Sequence, residues 1–166
     1  MQKNRNEEDF SIRFAEKEDV SLILSLIKEL AEYEEMLTEV TATEEILKAN
    51  LFEKKTAEVI IGEYQGEPVA FALFYSSFST FLGKPGLYLE DLYVRPDYRG
   101  SGFGQQLITY LADLTCERGY ERLEWVCLDW NTSAIQFYRK MGATAMDDWT
   151  TYRLHGSALK NLSNRF

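Results

Sequence analysis

The stretch LYLEDLYVRPDYRGSGFGQQLI, residues 87–108, joins a strand pattern to a helix pattern through a loop rich in glycine. Residues 87–94 have the apolar and aromatic content of a β-strand. Beyond the loop, apolar residues recur at helical spacing at Phe103, Leu107, Leu111 and Leu114. Gly119 stands where a left-handed residue closes a helix, and another strand is predicted at 121–128. This order predicts one β-α-β step.

The chain on both sides of this step predicts further strands and helices. The expected elements are a strand at 10–14, a helix from 20 to 31 after Asp19, a helix at 43–52, two strands within 57–75, a helix at 131–141 and a strand at 150–155. The residues Gln65-Gly66-Glu67-Pro68 favour a tight reversal and therefore an antiparallel hairpin, and a loop is expected at 76–86. We expect one α/β domain over 1–166, with three layers and a mostly antiparallel central sheet. Residues 1–9 are a polar N-terminal tail in this prediction, and 156–166 are a C-terminal segment.

The composition indicates a globular domain with a sizeable core, since 45% of the 166 residues are hydrophobic. A formal net charge of −9 argues against nucleic acid as a partner, because nucleic-acid binders carry basic faces. Residues 1–66 hold 16 acidic and 8 basic side chains, so their field would favour a cationic partner, although surface glutamates also serve solubility. No apolar run approaches the roughly 20 residues that span a bilayer. A cytoplasmic protein without membrane contact is predicted.

The few cysteines and the single histidine limit redox and metal chemistry. Cys116 and Cys127 are too few for a disulfide scaffold, and both are predicted to lie in the core. His155 is the one histidine of the sequence, which leaves no His-rich metal site. No bound metal is predicted, and a Cys–His nucleophile pair is the alternative that these residues leave open.

The loop RGSGFG, residues 99–104, is the strongest candidate for a ligand site. Glycines let backbone N–H groups approach a ligand, and a helix N-terminus adds unpaired donors and partial positive charge, which suits a pyrophosphate. The dinucleotide fingerprint G-x-G-x-x-G fails because position 105 is Gln, and no Gly-Lys-Ser/Thr follows for a Walker A loop. The remaining pattern is R-x-x-G-x-G. Taken alone, it is also compatible with a simple tight turn.

The residues around this loop resemble a known superfamily. YLEDLYVRPDYRGSGFGQQLI (88–108) looks like the acetyl-CoA-binding core of the GCN5-related N-acetyltransferases (GNAT). Their signature, Arg/Gln-x-x-Gly-x-Gly/Ala, is met by Arg99, Gly102 and Gly104. LDWNTSAIQFYRKMGA (128–143) resembles the following strand and helix of the same superfamily, in which an Asn precedes a Tyr by seven residues.

A narrower resemblance points to the diamine (spermidine/spermine) acetyltransferase group. IKELAEYE (27–34), YLEDLYV, PDYRGSGFG and LDWN are similar to its thialysine acetyltransferase branch. The resemblance extends from about residue 11 to residue 155, in matching order. It implies a GNAT-type fold, in which two neighbouring strands of a mixed sheet splay apart and helices flank the sheet. It also implies acetyl-CoA as co-substrate and an N-acetyltransferase activity.

The resemblance assigns the acetyl-CoA site to three segments. Backbone groups at Leu92, Tyr93 and Val94 would pair with the pantetheine arm, the loop from Gly100 to Gln105 would hold the pyrophosphate, and the segment from Asn131 to Ala134 would contact the far side of the arm. The residues expected to bind the cofactor are Leu92, Tyr93, Val94, Arg99, Gly100, Ser101, Gly102, Phe103, Gly104, Gln105, Asn131, Thr132, Ser133, Ala134 and Tyr138. For 92–94 the alternative is an ordinary core strand.

Acetyl transfer to an amine needs two proton movements. Near neutral pH only about one alkyl ammonium in a thousand has lost its proton, and the departing thiolate should gain one. The resemblance implies that Glu90 takes the first proton, directly or through water, and that Asp91 helps to bind the cation. It makes Tyr138 the acid that protonates the CoA sulfur. Adjacent carboxylates on a strand point to opposite faces unless a bulge intervenes. For Tyr138, helical periodicity alone predicts a core aromatic residue.

The acceptor site is less clear from the sequence. Glu34 matches a family carboxylate that contacts the amine. Ser79 and Thr80, followed by Phe81, are closer to the Ser-Thr-Trp of the thialysine branch than to the acidic loop of polyamine enzymes, which favours lysine-like amines. Tyr152 stands where the family commonly has Trp. A homodimer is implied by the related enzymes. Polyamines, another small amine, or a CoA-binding module without catalysis are the alternatives.

Overall fold

The computed structural model describes residues 9–165 and divides the chain into two compact units, one that ends at Val126 and one that begins at Cys127. The first unit contains β1 (Phe10–Phe14), α1 (Val20–Tyr33), α2 (Glu44–Leu47), β2 (Glu58–Tyr64), β3 (Glu67–Ser79), β4 (Lys84–Val94), α3 (Phe103–Glu117) and β5 (Leu123–Trp125). The second contains α4 (Thr132–Lys140) and α5 (Gly156–Ser163). No helix within the described range is long and apolar enough to cross a membrane.

The five strands form one mixed sheet in the order β1-β2-β3-β4-β5. All neighbours are antiparallel except β4 and β5, which are parallel. The parallel pairing runs from Leu87↔Leu123 to Leu89↔Trp125, whereas β4 continues to Val94. The α/β class, the mostly antiparallel sheet and the β-α-β step are therefore confirmed.

Helices cover both faces of the sheet in the first unit. On one face, Ile23 and Leu26 of α1 pack in a buried cluster with residues of three central strands, which are Val59, Ile61, Phe71 and Tyr93. On the other face, Phe103 at the start of α3 stacks on Phe10 with ring centroids 4.2 Å apart, and Phe14 contacts both Phe74 and Tyr110. These contacts define an α1 face and an α3 face, the two outer layers of the predicted three.

Turns fall at several positions that the sequence indicates. β2 and β3 are joined by Gln65 and Gly66, with φ of 53° and 82°. Two successive left-handed residues make the type of two-residue turn that matches the twist of a hairpin. Gly119 (φ 70°) closes α3, and the N–H of Tyr120 returns to the carbonyl of Thr115 at 2.9 Å. The predicted hairpin and helix end are confirmed.

Other expectations were wrong. Most of the predicted loop 76–86 is strand, because β3 runs to Ser79 and β4 begins at Lys84. The helical stretch expected at 43–52 is confirmed by contrast, although only its first turn, Glu44–Leu47, is α-helical and Lys48–Glu53 is a π-helix. No strand forms at 150–155 within the described chain, where the segment has no hydrogen-bonded partner strand to stabilise it.

Cys116 is exposed, contrary to the prediction, and Cys127 is only partly buried. The buried stripe of α3 passes instead through Phe103, Leu107, Leu111 and Thr115. Thr115 can occupy the interior because its hydroxyl donates to the carbonyl of Leu111 at 2.6 Å. The neighbouring Cys116 is therefore rotated toward solvent.

Gly62→Ala is expected to lower the free energy of unfolding by about 1–3 kcal/mol, the usual cost of overpacking. A Cβ at Gly62 would lie 2.5 Å from Cζ of Phe10, and the ring of Phe10 is held by its stack on Phe103. Urea unfolding measures the change. In a Phe10→Leu background the same substitution should cost much less, and an equal cost in both backgrounds would contradict this steric explanation.

Candidate active site

A β-bulge in β4 carries the two adjacent carboxylates. Leu73 of β3 pairs with Asp91 and Phe74 pairs with Leu89, so Glu90 is an extra residue without a position in the ladder. A bulge of this kind places two residues opposite one and re-aims the side chains next to it. The bulge, which is the exception to strand alternation considered in the sequence analysis, is therefore present in β4.

The bulge puts Glu90 and Asp91 on the same face of the sheet. Asp91 is two residues before Tyr93, which packs against α1, so its side chain lies on the α1 face. On the other side of the bulge, Tyr88 pairs with Tyr75 of β3. Tyr75 is two residues from Leu73, and Leu73 packs against the buried residues on the α1 face. Glu90 is two residues after Tyr88 and shares its face. Both carboxylates therefore lie beside the end of α1.

Asp91 is partly buried and its charge is poorly stabilised. Burial, followed by the negative charges of Glu90 and Glu34, raises the pKa of Asp91 to about 6. Burial also raises the pKa of Glu34. A group of carboxylates that partly resist ionisation gains most from a bound cation, because the cation supplies the missing opposite charge. We refer to Glu34, Glu90 and Asp91 as the carboxylate cluster.

Glu34 enters this cluster because α1 ends beside it. Its N–H donates to the carbonyl of Leu30 at 3.0 Å, and the next residue, Glu35, is left-handed with φ of 60°. The N–H of Met36 then returns to the carbonyl of Ala31 at 2.7 Å. A left-handed residue other than glycine is uncommon, and such strain is often found at functional sites.

Tyr75 is a neighbour of the cluster that the sequence analysis did not single out. Burial, then the charges of Glu90 and Tyr88, and a hydrogen bond to Glu90 raise the pKa of its phenol. Its ring lies 5.1 Å from that of Tyr88 between centroids. The phenol therefore lies close to Glu90 on the neighbouring strand. No sequence motif marks it, since this proximity depends on the register of β3 against β4.

The glycine loop precedes α3 as expected. Gly100 and Gly102 are left-handed, with φ of 75° and 81°, and Gly102 is the N-cap of α3. The helix begins its hydrogen bonding with the N–H of Gln106 on the carbonyl of Gly102, at 3.0 Å. The N–H groups of the first turn, at Phe103, Gly104 and Gln105, thus have no acceptor within the helix. They suit a phosphate, and an open volume of about 550 Å³ is lined in part by residues of this turn.

The second half of β4 offers backbone groups on one side. Leu92, Tyr93 and Val94 pair with Ala72, Phe71 and Ala70 of β3, and the pairing with β5 stops at Leu89. Tyr93 is buried, whereas its two neighbours are partly buried. β5 ends at Trp125, so 92–94 lie beyond its last pair and combine a core role for one side chain with backbone groups on that side. The splay of neighbouring strands stays a prediction.

Arg99, the first residue of the signature, directs its side chain toward aromatic rings. Its guanidinium carbon lies 4.2 Å from the ring centre of Tyr33 and 5.6 Å from that of Tyr93. Its Nε donates to the carbonyl of Val94 at 2.9 Å. The side chain thus contacts the end of α1 as well as the strand that precedes the loop.

The second unit holds the remaining cofactor candidates. Asn131 is the N-cap of α4, and its Oδ1 accepts from the N–H of Ala134 at 3.2 Å, so Thr132, Ser133 and Ala134 form the first helical turn. The Tyr138 ring packs against Phe137 with centroids 5.3 Å apart. The capping bond occupies the oxygen of Asn131 and leaves the NH2 of its amide for another partner.

Three acceptor candidates lie outside the carboxylate cluster. Ser79 is buried, and its Oγ accepts from the N–H of Leu82 at 3.3 Å, which shapes the turn between β3 and β4. Thr80 is exposed in that turn. Ser79 is six residues along β3 from Leu73, or about 20 Å, so the first unit does not bring this turn to the cluster. Tyr152 is 92% exposed in the second unit.

Comparisons with known proteins identify the class of this site. The acetyltransferase (GNAT) family matches residues 23–143. Thialysine N-epsilon-acetyltransferase of Bos taurus is 38% identical over 93% of this chain and 97% of its own, and the Sus scrofa enzyme is 36% identical over the same shares. Among solved structures, an integron cassette protein from the mobile metagenome of V. cholerae has a TM-score of 0.79 and 26% identity, over 93% of this chain and 98% of that one.

The protein is therefore an N-acetyltransferase with an acetyl-CoA co-substrate. It belongs to the GNAT family, as the signature at Arg99, Gly102 and Gly104 indicated. The described residues contain no group of three or more His, Cys, Asp or Glu side chains arranged to hold a metal ion.

Proposed function

We propose that the protein transfers the acetyl group of acetyl-CoA to the primary amine of a small cationic acceptor, with a lysine-like amine such as thialysine favoured. The carboxylate cluster of Glu34, Glu90 and Asp91 carries this proposal, because the raised pKa values of Asp91 and Glu34 are those of a site completed by a cation. The similarity to two thialysine acetyltransferases supports the choice of acceptor.

The acetyl-CoA site of this proposal uses the loop and the strand edge. The N–H groups of Gly100 to Gln105 would hold the pyrophosphate at the start of α3. Backbone groups at 92–94, beyond the β5 pairing, would accept the pantetheine arm, and the first turn of α4 with the Asn131 amide would provide further hydrogen bonds. Two left-handed glycines and a helix start without internal acceptors support this use of the loop.

The proton transfers follow from the types of group. Glu90 would accept the ammonium proton, directly or through water, while Asp91 and Glu34 hold the cation. Tyr75, which lies close to Glu90, would donate to that carboxylate and keep it in place. Tyr138 would donate to the CoA sulfur, because a phenol with an ordinary pKa near 10 is protonated at neutral pH. The transfer would be direct, with no covalent enzyme intermediate.

The remaining acceptor contacts, the homodimer and the cytoplasmic location stay predictions. Ser79 and Thr80 are proposed to influence the acceptor through the shape of the β3–β4 turn, and Tyr152 as a wall of the acceptor site. The polyamine alternative has less support, since the two relatives described above act on thialysine.

Thiol release from acetyl-CoA, measured with a panel of amines, tests the proposed function. Thialysine and lysine are expected to have kcat/KM values at least tenfold above those of spermidine, spermine and aminoglycosides. Acetyl-CoA without amine is the control for background hydrolysis. A higher kcat/KM for spermidine than for thialysine would favour the polyamine alternative, and release no faster than background with every amine would contradict the proposed acceptor class.

A further inference from the structure

The side chain of Arg99 connects the cofactor loop to the acceptor side of the molecule. Its guanidinium lies over Tyr33, 4.2 Å from the ring centre, and Tyr33 is the last residue of α1. The next residue on that side is Glu34 of the carboxylate cluster, and the next on the other side is Gly100 of the loop. One cation–aromatic contact therefore joins the residues immediately adjacent to both sites.

The direction of Glu34 depends on how the end of α1 is held. The helix stops there through a left-handed Glu35, with φ of 60°, a conformation that costs a residue with a side chain some free energy. Neighbouring contacts must hold such a turn in place, and the stack of Arg99 on Tyr33 is one of them. A change in this stack would therefore alter the position of Glu34 before it altered the sheet.

A second arginine contacts α1 one turn earlier, on the same face of the helix. Arg95 donates two hydrogen bonds to the Glu29 carboxylate, at 2.8 and 3.0 Å, and a third to the carbonyl of Pro68 at 2.8 Å. Glu29 and Tyr33 are four residues apart on α1, and Arg95 and Arg99 are four apart after β4. The hydrogen bonds of Arg95 fix α1 to the sheet. The contact between Arg99 and Tyr33 therefore affects only the final turn of α1.

We infer that Arg99 is a positioning residue for the amine acceptor, which holds Glu34 in place through Tyr33, and that it is not a ligand of the pyrophosphate. Its guanidinium carbon lies close to the rings of Tyr33 and Tyr93, and its Nε donates to the carbonyl of Val94. In this inference the backbone N–H groups of the loop hold the pyrophosphate. This inference rests on the proposed function, since it requires the cluster to bind the acceptor.

Steady-state kinetics with thialysine separate the two roles. Arg99→Met and Tyr33→Leu should each raise the KM for the amine about 2–5-fold, the range expected for an exposed cation–aromatic contact, and leave the KM for acetyl-CoA within twofold. The double variant should resemble either single one, because both remove the same contact. Tyr33→Phe, which keeps the ring, should rescue the amine KM. Titration with CoA measures the other site directly.

Arg118→Met is the control, because Arg118 also lies over a ring, 5.9 Å from the centre of Phe74, at the opposite end of α3. This variant also removes two hydrogen bonds from Arg118 to Glu58, at 2.6 and 2.7 Å, so it is a demanding control. It should change neither KM. If Arg99→Met raised the KM for acetyl-CoA and weakened CoA binding while the amine KM stayed constant, Arg99 would be a phosphate ligand and the inference would be overturned. An unchanged amine KM in Tyr33→Leu would also overturn it. A wild-type enzyme without amine-dependent turnover is a different result, which would overturn the proposed function first.

Discussion

Glu90→Gln is expected to lower kcat/KM for the amine about 100-fold or more at pH 7, the scale of a lost general base. The amide keeps the size of the side chain and its place in the bulge but cannot take a proton. Because the free amine itself becomes abundant near its pKa of about 10.4, the deficit should shrink as the pH is raised. Rates measured from pH 6 to pH 10 test this dependence.

A second effect of Glu90→Gln reports on the cluster independently of turnover. The charge of Glu90 helps to raise the pKa of both Asp91 and Tyr75, so its removal should lower both values. Titration of the tyrosine absorbance measures the phenol. Glu67→Gln, an exposed glutamate in the β2–β3 hairpin, is the control and should change neither rate nor titration. A deficit that is constant with pH would remove Glu90 as the proton acceptor.

Asp91→Asn is expected to raise the KM for the amine about 10–100-fold, since it deletes a partly buried charge that pairs with the cation. In the wild-type protein, amine affinity should increase from pH 5 to pH 7, because Asp91 ionises with a pKa of about 6 while the amine stays charged. The variant should lack this increase. Amine binding to the CoA complex, followed by calorimetry across this pH range, provides the measurement.

The same substitution should stabilise the protein in the absence of ligand. The folded-state pKa of Asp91 is raised from 3.8 to about 6, so between these values the folded chain retains a proton that the unfolded chain has lost. Stability therefore falls as the pH rises through this window, and above it the loss is about 2–3 kcal/mol. Asn removes that loss at pH 7.

Urea unfolding at pH 4 and at pH 7 tests this sign. Asp91→Asn should exceed the wild type in unfolding free energy at pH 7 and approach it at pH 4. Asp113→Asn, an exposed residue of α3, is the control and should show no such pH-dependent gain. A variant less stable than the wild type at pH 7 would contradict the view that the charge of ionised Asp91 destabilises the protein until a cation binds.

The regular elements could be predicted from local patterns, because period, turn residues and caps are written in neighbouring positions. Contacts within a few residues determine α1, the Gln65–Gly66 reversal and the Gly119 helix end. The alternation of β1 is also local, and this strand has a partner in β2. The strand expected at 150–155 failed for the opposite reason. A strand requires a partner, and its own alternation does not say whether one is in reach.

The sequence contains a sign of the bulge, which strand alternation alone allows only as an exception. Leu87 and Leu89 face α3, and a regular strand would continue that face at position 91, yet the next apolar residue of the series is Leu92. The period of two slips by one residue at Glu90 and Asp91. Two adjacent carboxylates at such a slip indicate a bulge that places both side chains on one face of the sheet.

No sequence pattern indicates the contacts around the carboxylate cluster. Tyr75 meets Glu90 because of the register between two strands, and Arg99 meets Tyr33 because α1 and the loop converge across about 65 residues of chain. Such pairs are set by tertiary packing. The family resemblance proposed residues for the reaction and could not identify the neighbours that contact them.

The bulge adds a residue to β4 without changing which face the rest of the strand presents. Removal of Glu90 would join Leu89 directly to Asp91, and these two already pair with the consecutive residues Phe74 and Leu73 of β3. The ladder would become regular, and Leu87 and Leu89 would keep the α3 face. The extra residue therefore supplies a second carboxylate to the α1 face while the packing of both layers stays the same.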